Sequence, residues 1–330
     1  MTTTSTQLQP ESWELLSMLE RAPGLHTLAD TIAELADNNN DVVAGTADLK
    51  YSNGLVRFQE RHPDRYIQFG ISEQHMVSAA AGMAAAGLVP YVATFASFLA
   101  LLCCEQIRTD CAWTKLPVRL IGHHAGITLG FYGTSHHALE DLAIGRSIAG
   151  LTVVAPADSA QLEAALRASI DHEGPIYFRI GRGRDPKVYD SAELSDFRFG
   201  AAISHGEGSD LTIIATGSMV HPAITAAERL KRDGLSVGVL DVHTLKPFDA
   251  EAVLAAASRS DALLTVEEHS VIGGLGGAVA ETLAEAGVAT RLRRHGVKDE
   301  YAPVGPPTHL YAHYGLDADG IEIQARTLLR

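Results

Sequence analysis

Short apolar runs of strand length alternate with helix-length stretches along nearly the whole chain, and this alternation limits the fold more than any other feature of the sequence. In the first half the runs are Val42–Gly45, Tyr66–Phe69, Pro90–Thr94, Val118–Gly122, Thr152–Ala155 and Ile176–Ile180. Strands separated by helical segments predict βαβ units, hence parallel sheets covered by helices on both faces. A second series has Leu211–Thr216, Ser236–Asp241 and Ala262–Glu267 as strands, with Pro222–Arg232, Ala250–Ser258 and Gly277–Glu285 as helices. Between Arg182 and Ser209 the text turns to Gly, Asp, Pro and Ser with weak periodicity, which marks a linker. The expected fold class is therefore α/β, with two three-layer αβα domains. Residues 1–22 form an N-terminal extension, 23–190 the first domain, 191–208 the linker and 209–330 the second domain.

Composition removes several classes of function. The 26 Lys and Arg against 40 Asp and Glu leave a net charge of −14, which repels nucleic acid and anionic membrane surfaces. The N-terminus MTTTSTQLQPESW has neither a basic segment nor an apolar one, so no signal peptide is read. The apolar stretch Met76 to Cys104 is rich in Ala and Gly, is interrupted by Pro90, and reads as α/β core rather than a membrane span. Cys103, Cys104 and Cys111 form neither a disulfide framework nor a CxxC spacing, which fits a reducing, cytoplasmic compartment.

Four places could carry chemistry. Glu73, in FGISEQH, follows the Tyr66–Phe69 run, and Ser72 is positioned to cap the helix that starts there. A carboxylate in a first helical turn often serves only the helix dipole, but the carboxyl end of a parallel strand is also where ligands collect. Phe95 and Phe98 in TFASF have helical spacing, which suits either core packing or a face offered to a flat heterocycle. The stretch HHAGITLGFYGTSHHALED holds four of the fifteen histidines (His123, His124, His136, His137) around a Gly-rich loop. Two HH pairs lack metal-ligand spacing, so hydrogen bonding or proton exchange with a substrate is the better reading. Arg179 and Arg182 end a strand and suit either bidentate anion contacts or an interdomain ion pair. Glu267 and Glu268 are adjacent on a strand, point to opposite faces, and cannot share one acid/base site. GGLGG, out of register with GxGxxG, reads as a turn that opens a helix.

Taken in order, GISEQHMVSAAAGMAAAGLVPYVATFASF, GTSHH, YFRIGRG, VLDVHTLKPFD and VEEHSVIGGLG resemble the C-terminal half of transketolase, from about Leu28 to Arg330. The resemblance implies a pyrimidine-binding transketolase-like domain followed by a transketolase C-terminal domain. The family's diphosphate-binding domain, with its GDG motif and paired Asn, is missing: no GDG occurs, and Asn38–Asn40 has none upstream. The chain therefore resembles the small subunit of a split transketolase. It would need a large subunit that holds magnesium and the diphosphate of thiamine diphosphate, in a heterotetramer of two small and two large subunits.

By position, Glu73 matches the glutamate that hydrogen-bonds the pyrimidine ring nitrogen, and Phe95 and Phe98 match aromatic residues that pack on that ring. Leu101 falls where many relatives have a third aromatic. His136 matches a histidine that contacts the donor sugar and assists proton transfer. Ser52, His124 and Arg182 match residues that hold a phosphate, and His137 is counted with them on the substrate side. Two departures stand out. Phe131-Tyr132-Gly133 replaces an acidic residue that reads a sugar hydroxyl, and an arginine upstream of Ser52 is replaced near Leu25-His26. The implied reaction moves a two-carbon ketol unit from a ketose phosphate to an aldose. Alternatives sharing the domain are a deoxyxylulose-phosphate synthase-like enzyme and the decarboxylating subunit of a 2-oxo acid dehydrogenase. A non-catalytic regulatory α/β protein is the alternative of another class.

Overall fold

A computed structural model describes residues 23–330; the expected N-terminal extension, 1–22, lies outside the described residues. The first half runs α1 (Pro23–Asn38), β1 (Val42–Thr46), α2 (Val56–Arg61), β2 (Tyr66–Gln68), α3 (Glu73–Ala85), β3 (Val89–Phe95) and α4 (Ala96–Leu102). It continues with β4 (Arg119–His123), α5 (Asp141–Ser147), β5 (Thr152–Val154), α6 (Ser159–Ala168) and β6 (Ile176–Arg179). These strands pair parallel, in the order β5-β6-β4-β3-β1-β2. The central strands β1, β3 and β4 are almost wholly buried, as expected where helices cover both faces of a parallel sheet.

The second half comprises β7 (Ile203–Ser204), β8 (Leu211–Ala215), α7 (Val220–Arg232), β9 (Val237–Asp241), β10 (Thr244–Lys246), α8 (Ala250–Arg259) and β11 (Ala262–Ser270). It ends with α9 (Leu275–Glu285), β12 (Arg291–Val297), α10 (Pro307–Tyr314) and α11 (Ala318–Leu329). Its sheet has the order β12-β11-β8-β9-β7, parallel except for β7. The two halves are interlocked, because β10 leaves the second half and pairs antiparallel with β5 at the edge of the first sheet. One apolar cluster accordingly mixes Met76, Leu120 and Val153 with Leu240, Leu245 and Leu275.

In the first sheet the connection from β1 goes outward to β2, and the chain then returns to the other side of β1 as β3. The order of strands thus reverses between β1 and β3, and their carboxyl ends frame the kind of crevice in which open α/β sheets bind ligands. In the second sheet the same reversal falls between β8 and β11.

Candidate active site

Glu73 opens α3 directly beside the first of these crevices, with Ser72 at the N-cap position. The Ser72 side chain makes no capping bond, contrary to the expectation from sequence; the first helical turn carries Glu73 instead. Glu73 is 8% exposed, and the one hydrogen bond it receives among the described residues comes from Thr94 Oγ1 at 3.5 Å. A buried carboxylate with so little internal hydrogen bonding keeps acceptor capacity for a ligand N–H.

Phe95 ends β3 and Phe98 follows in α4, their ring centroids 5.5 Å apart and edge to face. Around Phe95 stand His123 at 4.9 Å, His124 at 5.3 Å and His136 at 5.3 Å, while Phe98 lies 5.1 Å from His136. The structure thus brings Phe95, Phe98, His124 and His136 into one aromatic cluster. Leu101 stays outside it, 53% exposed near the end of α4. Tyr132 joins from the other side, its ring 4.8 Å from His136. Nothing in the sequence alone pointed to that contact, although Tyr132 was visible as a departure from the family pattern.

These imidazoles are kept neutral. Burial pushes His123 down to about 3, and burial, then His123 and Arg182, holds His124 well below the ordinary imidazole value. His136 and His137 are lowered as well, chiefly by burial. His123 and His124 share a hydrogen bond between their Nδ1 atoms at 2.7 Å, and His124 adopts a left-handed φ of 57°. That backbone conformation is costly for a residue with a Cβ, and such cost concentrates at functional sites. Neutral imidazole offers one donor and one acceptor, so positive charge must come from elsewhere.

It comes from the turn after β6. His124 N–H donates to Gly181 O at 3.1 Å, which sets His124 beside Arg182. Burial first, and Arg184 second, lower the pKa of Arg182, as when two guanidinium groups lie close together. Ser52 is half-buried in a turn that reaches the same region through Leu25. A Cβ on Gly54 would meet Leu25 O at 2.5 Å, and one on Gly183 would meet Leu25 N at 2.7 Å. The turn that holds Ser52 and the turn that holds Arg182 thus both approach Leu25, and His124 is tied to the second of them. His137, next in the chain, is buried against the backbone of Leu129 and Gly130.

Arg179 serves a different purpose. Its Nε donates to Asp141 Oδ2 at 2.9 Å, and its Nη2 donates to Glu268 O at 2.7 Å and Ala138 O at 3.2 Å. Glu267 and Glu268 diverge as strand geometry requires. Glu267 accepts from the N–H groups of Leu275 and Gly276 at the start of α9, at 2.7 and 2.8 Å, whereas Glu268 turns toward the first half of the chain. The GGLGG turn opens α9, with Gly273 at φ 81°. No group of three His, Cys, Asp or Glu residues with metal-holding geometry occurs among the described residues.

Comparison with known proteins adds to this geometry. Residues 24–186 match the transketolase pyrimidine-binding domain and residues 200–321 the transketolase C-terminal domain. The chain is 42% identical over 295 residues to the 6-deoxy-6-sulfo-D-fructose transketolase subunit SqwH of Clostridium sp. strain MSTE9, covering 89% of this chain and 91% of that one. It is 37% identical over 295 residues to a subunit of the apulose-4-phosphate transketolase of Phocaeicola vulgatus, covering 89% and 94%. A solved structure described as a split gene transketolase, inactive beta4 tetramer, superposes with a TM-score of 0.84 at 36% identity, covering 93% of this chain and 98% of its own.

Proposed function

The chain belongs to the transketolase family, and from that premise we propose that it is the small subunit of a two-chain, thiamine diphosphate-dependent transketolase. The observation that carries the proposal is Glu73: a buried, sparsely hydrogen-bonded carboxylate at a strand-order reversal, beside the edge-to-face rings of Phe95 and Phe98. Such a pocket suits a flat, protonated nitrogen heterocycle, with Glu73 accepting its N–H and the phenyl rings packing on its face. Thiamine diphosphate would supply the electron sink that carries the two-carbon unit.

The chain's own residues then divide the remaining work. Glu73 holds the pyrimidine and favours one of its tautomers. Neutral His136 contacts the donor near the reacting carbons and moves a proton there. Ser52, His124 and Arg182, with His137, hold the far end of the substrate, where guanidinium supplies the charge that neutral imidazoles lack. Relatives named for a sulfonated sugar and for a sugar phosphate favour a ketose bearing a terminal anion. Relatives named as transketolase subunits support placing the diphosphate and its magnesium on a large subunit, in an α2β2 assembly. No helix among the described residues is long and apolar enough to cross a membrane, and the three cysteines are free, in keeping with a place in the cytoplasm.

Calorimetric titration of thiamine diphosphate and magnesium, into the chain alone and mixed with a GDG-bearing large subunit, tests this. Binding is expected only in the mixture, and Glu73→Gln should weaken it at least tenfold. Tight binding to the chain alone would overturn the split-site reading. Release of labelled carbon dioxide from pyruvate, in place of ketol transfer between sugars, would overturn the reaction.

A further inference from the structure

The loop that carries Tyr132, His136 and His137 is closed at its neck by a two-residue antiparallel bridge between Gly126 and Ala138. Gly126 N–H donates to Ala138 O at 3.1 Å and Ala138 N–H returns a bond to Gly126 O at 3.0 Å. From the second half of the chain, Glu268 reaches this neck directly. Glu268 Oε1 accepts from Ile127 N–H at 2.7 Å and from Tyr311 OH at 2.8 Å, and its Oε2 accepts from Ser218 Oγ at 2.7 Å. Arg179 ties the Glu268 carbonyl to the Ala138 carbonyl, the two bonds already described. Glu268 is 2% exposed, so no water competes for these donors.

Its location gives the arrangement meaning. Ser218 follows β8 and Glu268 lies on β11, so the carboxylate sits at the strand-order reversal of the second sheet, where such a sheet would ordinarily take a ligand. Here the crevice is filled by the first domain's own loop, with the Ile127 N–H in the place of a ligand donor. A second tether lies further along, where Gly305 N–H donates to Gly130 O at 3.0 Å.

We propose that Glu268 is a positioning residue: by fixing the Ile127 end of the 126–138 neck, the C-terminal domain sets where His136 stands against the donor sugar. The proposal rests on the reading of His136 as the donor-contacting histidine, so its test includes a measurement that needs no turnover.

Hydrogen exchange of the full chain supplies it. In Glu268→Ala, peptides spanning 126–138 are expected to exchange at least tenfold faster, with α3 unchanged. In the assembled enzyme, the same variant should raise the donor KM at least tenfold while thiamine diphosphate affinity stays within twofold. Glu268→Gln should restore most of both, because the amide oxygen can still accept from Ile127 and Tyr311 while the Ser218 hydroxyl turns to accept from the amide. Unchanged exchange in the loop, or faster exchange spread equally through α3, would overturn the proposal. So would a loosened loop with an unchanged donor KM. If Glu268→Ala does not fold, Tyr311→Phe combined with Ser218→Ala removes two of the three donors. That double variant should speed exchange severalfold in the same peptides, and the absence of any increase would overturn the idea. An assembled wild-type enzyme that binds cofactor yet transfers no ketol unit would refute the functional reading alone, and the exchange pattern would then decide the grip of Glu268 by itself.

Discussion

Gly126 shows how far a single position can be constrained. Its φ is 62°, and a Cβ built on it would lie 2.2 Å from Glu268 Cδ. A methyl group there meets both a left-handed backbone, worth about 1–2 kcal/mol against any other residue, and a carboxylate that cannot retreat without dropping its three donors. Gly126→Ala should lower unfolding stability by at least ~2 kcal/mol in urea titration. Gly82, inside α3, is the internal control, because a methyl group added there has nothing within 4 Å. Gly82→Ala should be neutral or add up to ~1 kcal/mol through helix propensity. Equal stability of the two variants would refute the steric account. At this scale the sequence discloses residues whose chemistry is local. Glu73 after a strand, the Phe95/Phe98 pair and the doubled histidines were all legible from neighbours within a few positions. What Glu268 and Arg179 do was not, because their partners, Ile127 and Asp141, lie 141 and 38 residues away.

Helix α6 illustrates how an element can be anchored by one residue acting in two directions. Asp158 is its N-cap, with Oδ1 accepting from Gln161 N–H at 2.9 Å. Its Oδ2 accepts from Val188 N–H at 2.6 Å and Tyr189 N–H at 2.8 Å, which pins the chain just before the 3-10 turn Ser191–Leu194. Asn is as good an N-cap as Asp, so an ordinary capping site would tolerate the exchange. Here Asp158→Asn puts an NH2 group against two backbone donors, and stability should fall by about 1–3 kcal/mol in a urea unfolding series. A change below about 0.5 kcal/mol would mean that the bonds to Val188 and Tyr189 contribute nothing beyond the cap. The strands read from sequence match those observed to within one residue at most ends, because buried parallel strands are continuous apolar runs. Those that went unread lack that signal. β12, RLRRHGV, is an edge strand whose first four residues are partly or fully exposed, and β10 has only three residues. Charged side chains on an edge are how a sheet avoids pairing with other molecules, and they hide the strand from a hydrophobic pattern.

At the scale of the whole chain, the two halves look separable in sequence and are joined in space. The family matches break between residues 186 and 200, yet the first sheet is completed at β5 by β10, from beyond that break. Lys246, on β10, donates to the carbonyl oxygens of Arg146 and Ile148, and Arg146 donates to Gly273 O at 2.5 Å. Arg179 and Asp141 form a buried ion pair, and Arg179 also donates to Glu268 O on the other side. Removing residues 191–330 would therefore open the edge of β5, strip half of a shared apolar cluster from Met76, Leu120 and Val153, and wet a buried charge pair. Open strand edges and exposed apolar surface both favour aggregation. A fragment of residues 1–190 should thus aggregate or bind a hydrophobic dye without a cooperative melt, while the full chain melts in one transition. A monomeric 1–190 fragment melting cooperatively within about 5 °C of the full chain would show that the cross-break contacts add little, since each kcal/mol shifts a domain of this size by only a few degrees. The same coupling bears on function: if the halves fold as one unit, a change at the Glu268 end of the interface reaches the His136 loop through packed, hydrogen-bonded groups that cannot yield independently.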